Sequence, residues 1–270
     1  MVKKKLEKFN ELSGSEWLKY SFSIWRDIRK NKEETKINHP AMFPTSLTSR
    51  LIDIFTKKND TVLDPFMGSG STIISAYLKG RKGIGFELSK NFVDLAKRRL
   101  KSYIGLFDKA LIEPEIYLGD VRNLIEKIKP NTIKLCITSP PYWDILNRPH
   151  TADRKSIISY SKSKEDLGNI KDYEEFLTEL KGVFSKVFNV LIPGGYCVVV
   201  VMDIRKKDKF YPFHSDLSKK MQEIGFLFED IIIWDRQYEY NYMKPLGYPY
   251  AFRVNKVHEY ILIFKKPKND

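Results

Sequence analysis

Seven short, apolar, β-branched runs recur along this chain with helical patterns between most of them, and that alternation limits the fold more than any other feature. The runs are Thr61–Asp64, Lys82–Leu88, Ile116–Leu118, Ile133–Thr138, Tyr196–Met202, Phe226–Trp234 and His258–Phe264. Between them, Asn91–Leu100 puts Phe92, Leu95, Ala96 and Leu100 on one helical face behind a cap at Ser89. The clearest helical pattern is Asp172–Leu191, where Tyr173, Phe176, Leu177, Leu180, Val183, Phe184, Val187 and Phe188 recur at steps of three and four. Asp172 and Glu175 have capping-box spacing, and Pro193-Gly194-Gly195 predicts the stop. A shorter helix carries Leu217, Met221 and Ile224. Strands alternating with helices predict an α/β fold: a doubly wound, mostly parallel seven-stranded sheet covered on both faces. No helical pattern separates the last two runs, which predicts an antiparallel pair at one edge.

Charge points to the partner. Lys and Arg total 47 against 34 Asp and Glu, a formal net charge of +13, so an anionic partner is expected, nucleic acid first. With 17 Phe, 15 Tyr and 4 Trp the chain is not of a disordered composition. Its two cysteines, Cys136 and Cys197, lie in apolar runs and form no disulfide framework or zinc spacing, which fits a reducing cytoplasm. The charged start, MVKKKLEKFN, has no apolar stretch behind it and does not read as a signal peptide, and no apolar run is long enough for a membrane span.

Two constellations carry chemistry. The first is Thr61-Val-Leu-Asp-Pro-Phe-Met-Gly-Ser-Gly-Ser-Thr72, a strand running into a Gly-rich turn and a helix. Gly68 and Gly70 admit positive φ and close approach of a ligand. Glu87 ends the next strand, placed to take both hydroxyls of a ribose, and Asp120 follows the third, placed to accept from an adenine amine. No Lys follows the glycines and the third Gly of a dinucleotide fingerprint is missing. A cofactor with ribose, adenine and an amino-acid carboxylate but no phosphate fits: S-adenosylmethionine.

The second is Thr138-Ser-Pro-Pro-Tyr-Trp143, directly after the fourth strand. Pro140 and Pro141 cannot continue a sheet and fix a rigid loop with outward carbonyls. Ser139 supplies a hydroxyl and Tyr142 a flat face, so the loop suits an exocyclic amine on a stacked base. Nothing in either constellation calls for a metal, and the four histidines show no ligand spacing.

Together, Asp64-Pro-Phe-Met-Gly-Ser-Gly-Ser and Ser139-Pro-Pro-Tyr resemble the amino-methyltransferases of DNA, which methylate cytosine N4 or adenine N6. The resemblance spans roughly residues 37–265 and implies a Rossmann-like methyltransferase sheet and a role in DNA methylation, as in restriction–modification. It implies cofactor contacts at Asp64, Pro65, Phe66, Gly68, Gly70, Glu87 and Asp120, and target-amine contacts at Ser139, Pro140, Pro141 and Tyr142. The segment His39-Pro-Ala-Met-Phe-Pro resembles the one that closes the methionine end of the pocket, which adds His39, Phe43 and Pro44. A serine before the prolines is more typical of cytosine N4 enzymes, so cytosine N4 in DNA with base flipping is expected. Adenine N6 methylation, and cytidine N4 methylation of a structured RNA such as rRNA, stay open. The cofactor half precedes the catalytic half, unlike many relatives with this glycine loop. No separate recognition domain is visible. Residues 1–36 read as a basic, aromatic N-terminal extension with Trp17, Tyr20 and Trp25. Residues 37–270 read as one methyltransferase domain whose loops 144–171 and 235–257 are candidate target-recognition elements.

Overall fold

A computed structural model describes residues 8–37, 42–104, 112–144, 165–240 and 245–268. In chain order the elements are α1 (Gly14–Tyr20), β1 (Ile24–Trp25), α2 (Lys32–Lys36), α3 (Thr45–Phe55), β2 (Thr61–Asp64), α4 (Ser71–Leu78), β3 (Lys82–Glu87), α5 (Lys90–Ile104) and β4 (Glu115–Leu118). They continue as α6 (Leu124–Lys127), β5 (Ile133–Thr138), α7 (Tyr173–Val190), β6 (Leu191–Val201), β7 (Ile204–Lys206), β8 (Lys209–Tyr211), α8 (Phe213–Ile224), β9 (Leu227–Asp235) and β10 (His258–Lys265).

All seven apolar runs become strands of one sheet, ordered β1-β9-β10-β6-β5-β2-β3-β4. Every pairing is parallel except those of β10, which runs antiparallel between β6 and β9. The antiparallel pair expected from the last two runs is therefore present on this side of the sheet. The added eighth strand, β1, is only two residues long, too short to show a period. Along β6, Val198 and Val200 join one buried cluster with Leu47, Leu51 and Ile261, and Cys197, Val199 and Val201 join the other with Phe176, Phe184 and Leu262. Strand alternation thus supplies two cores, one per face, and both are helix-covered.

Local signals explain most boundaries. Asp172 caps α7 by accepting from the Glu175 N–H at 2.9 Å. At the other end the prediction differs from the structure. Helix α7 passes straight into β6 at Leu191, and Pro193–Gly195 lie inside the strand. Ile133 pairs with Leu191 but Leu135 with Tyr196, so these residues form a bulge. Its backbone is held by β10's exit: Gly194 N–H donates to the Lys266 carbonyl and Lys266 N–H to that of Gly195, both at 2.9 Å. A tertiary partner turns a stop signal into a strand irregularity.

The N-terminal segment is built onto the sheet. Trp25, grouped by sequence with the exposed Trp17 and the half-buried Tyr20, is 1% exposed and pairs with Trp234 of β9. Trp25→Ala is expected to cost about 3–5 kcal/mol of stability, the range for emptying a buried aromatic site. Urea denaturation monitored by circular dichroism checks this.

Candidate active site

The carboxyl edge of the parallel strands carries the chemistry-bearing residues. β2 ends at Asp64, which is 3% exposed. Its Oδ1 accepts from the Thr138 hydroxyl at 2.8 Å and the Phe66 N–H at 3.1 Å. Thr138 is the last residue of β5, so one short bond joins the two sequence constellations. Burial raises the Asp64 pKa to about 6, against the opposing pull of these hydrogen bonds. Glu87 ends β3. Its two oxygens accept from the N–H groups of Gly68 and Ser89, each at 2.8 Å, and burial likewise raises its pKa. The glycine turn is thereby fixed to the neighbouring strand. Gly70, with φ +83, starts α4, and a Cβ there would lie 2.8 Å from Cβ of Ala96, so it permits α4 and α5 to pack closely.

One pocket gathers these ends. Its lining includes Phe43, Asp64, Pro65, Phe66, Gly68, Glu87, Asp120 and all of Ser139–Tyr142. Gly70 and Pro44 stand outside the lining; Pro44 caps α3 instead. His39 lies outside the described residues. Asp120 accepts from Arg122 on both oxygens, from its N–H at 2.8 Å on Oδ1 and its Nε at 2.7 Å on Oδ2, and Oδ1 keeps a further acceptor site. The lining also takes in Met42 and Trp143, which stand inside the quoted motifs without an assigned role, and Phe86, Asp166 and Leu167, which sequence reasoning did not name. Asp166 and Leu167 come from the short segment before α7, inside a polar stretch with no periodicity to single them out.

On the loop after β5, the Ser139 hydroxyl donates to the Tyr142 oxygen at 3.3 Å, and the Tyr142 hydroxyl donates to Oε2 of Glu259 at 3.1 Å. The other oxygen of Glu259 accepts from Arg236, which also pairs with Glu239. Burial, and then the Glu259 charge, push the Tyr142 pKa well up, so this phenol stays protonated. Glu259 was not singled out from the sequence, whereas Arg236 falls in the candidate recognition stretch 235–257 with no role at Tyr142 assigned to it.

The electrostatics of the pocket are unlike those of the whole chain. Five carboxylates line it, Asp64, Glu87, Asp120, Glu165 and Asp166, and no Lys or Arg among the described residues does. Such a wall accepts from hydroxyls and amines and attracts a cation, and has no side-chain cation for a phosphate. Among the described residues no group of His, Cys, Asp and Glu could hold a metal ion. No described helix is long and apolar enough to cross a membrane.

Sheet order, antiparallel β10 and an acidic pocket at the strand ends define a Rossmann-like methyltransferase fold. A family profile described as DNA methylase, of the N6/N4 methyltransferase type, matches residues 2–98 and 133–270, and the chain belongs to that family. It is similar to the orphan methyltransferase M.BamHII of Bacillus amyloliquefaciens, 44% identical over 31% of this chain and 33% of that protein. It is also similar to the type II methyltransferase M.MjaI of Methanocaldococcus jannaschii, 28% identical over 57% of this chain and 56% of that one. The chain thus spans a third to about half the length of these relatives. Among solved structures, a SAM-dependent methyltransferase from Methanosarcina mazei shares the fold, with 16% identity, TM-score 0.50, and coverage of 81% of this chain and 98% of that one.

Asp64 gives a test by pH. The folded chain holds this proton to higher pH than the unfolded chain, so the stability it contributes is full below 3.8 and lost as pH rises through about 6. Ionised, the buried group costs about 3 kcal/mol relative to an unperturbed carboxyl. Asp64→Asn is expected to gain on the parent by up to that amount between pH 4 and 7. Parallel urea-midpoint profiles for the two proteins would show that burial does not hold the proton.

Proposed function

We propose that the chain methylates an exocyclic amine of DNA with S-adenosylmethionine, at cytosine N4 in preference to adenine N6, on a base turned out of the duplex. The observation that carries this reading is the single pocket shared by Asp64, Glu87 and Ser139–Tyr142. Bound there, S-adenosylmethionine supplies an electrophilic methyl group on a sulfonium. Glu87 would accept from the ribose hydroxyls, Asp120 from the adenine amine, and the acidic wall would favour the cofactor's positive charges. Phe43, Pro65 and Phe66 add apolar wall and Gly68 close backbone approach; His39, Pro44 and Gly70 complete the set inferred from resemblance.

The other end of the pocket suits the target. The lone pair of a cytosine amine is delocalised into the ring, so the amine is a weak nucleophile. Acceptance of its N–H bonds by the Ser139 hydroxyl and the Ser139 or Pro140 carbonyl would localise that pair and stabilise the positive charge that develops on nitrogen. Pro140 and Pro141 keep the loop rigid, so little reorganisation is needed. The ring of Tyr142 would stack the base, offsetting part of the cost of unstacking, about 1–3 kcal/mol per base. Glu259 holds the Tyr142 hydroxyl and so orients that ring. Ser139 ahead of the prolines supports cytosine over adenine. The excess of cations supports a nucleic-acid substrate, the free cysteines Cys136 and Cys197 fit a reducing cytoplasm, and loops 144–171 and 235–257 of the domain 37–270 serve as recognition elements.

Labelled S-adenosylmethionine offered with unmodified duplex DNA, total RNA and protein tests this directly. Label in DNA, recovered as N4-methylcytosine by nucleoside mass spectrometry, is expected. N6-methyladenine would reassign the base, and label only in RNA or protein would overturn the reading.

Variants separate the roles. Glu87→Ala is expected to weaken S-adenosylmethionine at least about tenfold by calorimetry, since two charge-assisted bonds are lost. Ser139→Ala should lower kcat by about 10- to 100-fold with little change in KM, because its bond strengthens only as charge develops. A Ser139→Ala, Tyr142→Ala double variant that methylates at the parental rate would place the amine elsewhere.

A further inference from the structure

Outside the pocket, one surface combines fully exposed aromatic rings with clustered cations. Tyr250 and Phe252 are 95% and 97% exposed. They ride on a tight turn in which the N–H groups of Tyr250 and Ala251 donate to the Gly247 carbonyl at 2.8 and 2.7 Å. Gly247 takes φ +79, and a Cβ there would overlap the Ala251 carbonyl oxygen. Backbone bonds therefore fix the turn from which both rings project into solvent.

This turn is tied to the β7–β8 hairpin. Arg253 pairs with Asp208 and donates to the Lys207 carbonyl at 3.4 Å, and Lys256 lies 4.6 Å from the Phe210 ring centroid. The hairpin is in turn fixed to the end of the catalytic loop. Lys206 pairs with Asp144 at 2.9 Å and sits 3.5 Å from the Trp143 ring centroid, and Trp143 packs on Tyr211 at 5.1 Å. Trp143 lines the pocket. Residues 204–211 and 245–257 carry six cations and a single acid, Asp208. Three of the cations, Arg205, Lys207 and Lys209, are exposed on the hairpin.

We propose that this surface is the seat of a DNA duplex beside the pocket: Arg205, Lys207 and Lys209 take backbone phosphates while Tyr250 and Phe252 enter the duplex next to the base being modified. The occupant follows from charge and shape. Exposed cations on a hairpin packed against Trp143, which lines an acidic pocket, separate two ligands, a polyanion outside and a cation within. Exposed aromatic side chains on a fixed turn among cations suit insertion between base steps, where they replace stacking lost when a base leaves. The proposal rests on the reading of this chain as a DNA methylase and adds the surface that presents the duplex to it.

The test measures binding apart from methyl transfer. A fluorescein-labelled, random-sequence duplex of about two helical turns is titrated by anisotropy from low to moderate salt, without cofactor. An Arg205→Gln, Lys207→Gln, Lys209→Gln variant is expected to lose about 2.7 from the log–log salt slope, about 0.9 for each lost phosphate contact. A control with Lys97→Gln, Arg98→Gln and Lys101→Gln on α5, which packs at the far end of the sheet, should keep the parental slope. Tyr250→Ser with Phe252→Ser should weaken duplex binding several-fold at fixed salt with the slope unchanged. Calorimetry with S-adenosylmethionine shows that each variant is folded. An unchanged slope in the hairpin variant, or an equal loss in the α5 control, would overturn the proposal. So would a parental dimer that Tyr250→Ser with Phe252→Ser converts to monomer while duplex binding stays parental, since the rings would then belong to a second copy. If no labelled DNA forms yet the hairpin variant loses the slope, the seat stands and the methylation reading falls. Labelled DNA with an unchanged slope gives the reverse.

Discussion

The hydrogen bond from Thr138 to the buried carboxylate of Asp64 joins the two halves of the site, and the rest of the pocket is arranged around it. It exists because β2 and β5 are neighbours in a parallel sheet. Parallel strands bring their last residues to one edge, and the turns that follow must start there. The glycine turn after Asp64 and the Pro-Pro turn after Thr138 are therefore adjacent, although more than 70 residues separate them in the chain. Glu87 repeats the device on the other side of β2, where backbone N–H groups of the glycine turn and of Ser89 hold both its oxygens.

These bonds set the electrostatics as well. A buried carboxylate is unfavourable in the ionised form, and Asp64 and Glu87 both have raised pKa values for that reason. A cationic ligand would relieve the penalty, so the pocket is suited to positive charge inside a protein of net charge +13. The opposite signs are kept apart in space. The carboxylates line the pocket, and the exposed cations of the β7–β8 hairpin lie at its margin, fixed through Lys206, Asp144 and Trp143.

Antiparallel β10 makes a third contribution. Because it runs against its neighbours, its beginning and not its end lies at the functional edge, where Tyr260 pairs with Val201 and His258 with Asp235. Glu259 consequently reaches the Tyr142 hydroxyl, and Arg236 neutralises Glu259 from the end of β9. The chain Ser139–Tyr142–Glu259–Arg236, in which only Glu259 is buried and the other three are half-buried, fixes the phenol in one place through the bonds along it. It also joins the loop after β5 to the segment that leaves β9, so the catalytic loop and a candidate recognition element share one support.

The sequence by itself determined the strand–helix alternation, the doubly wound sheet and the acids at successive strand ends. Each rests on periodicity or on residues close in the chain, as with Asp64 and the turn after it or Asp172 capping α7. Only the tertiary structure decided the rest. Pro193–Gly195 read as a stop and became a bulge, because β10 supplies backbone partners for them. Trp25 read as part of a solvent-facing extension and is buried, because β9 leaves an edge that a two-residue strand can cover. Gly70 read as a ligand-contact glycine, and its close approach to Ala96 on α5, a packing role, was not legible. Glu259 gave no local signal, since at the start of an alternating strand a charged residue looks like ordinary solvent-facing polarity, and Arg236 read only as one cation of the loop 235–257. Their roles depend on which way β10 runs and what lies beside it, and that is set by long-range pairing that no window of sequence contains.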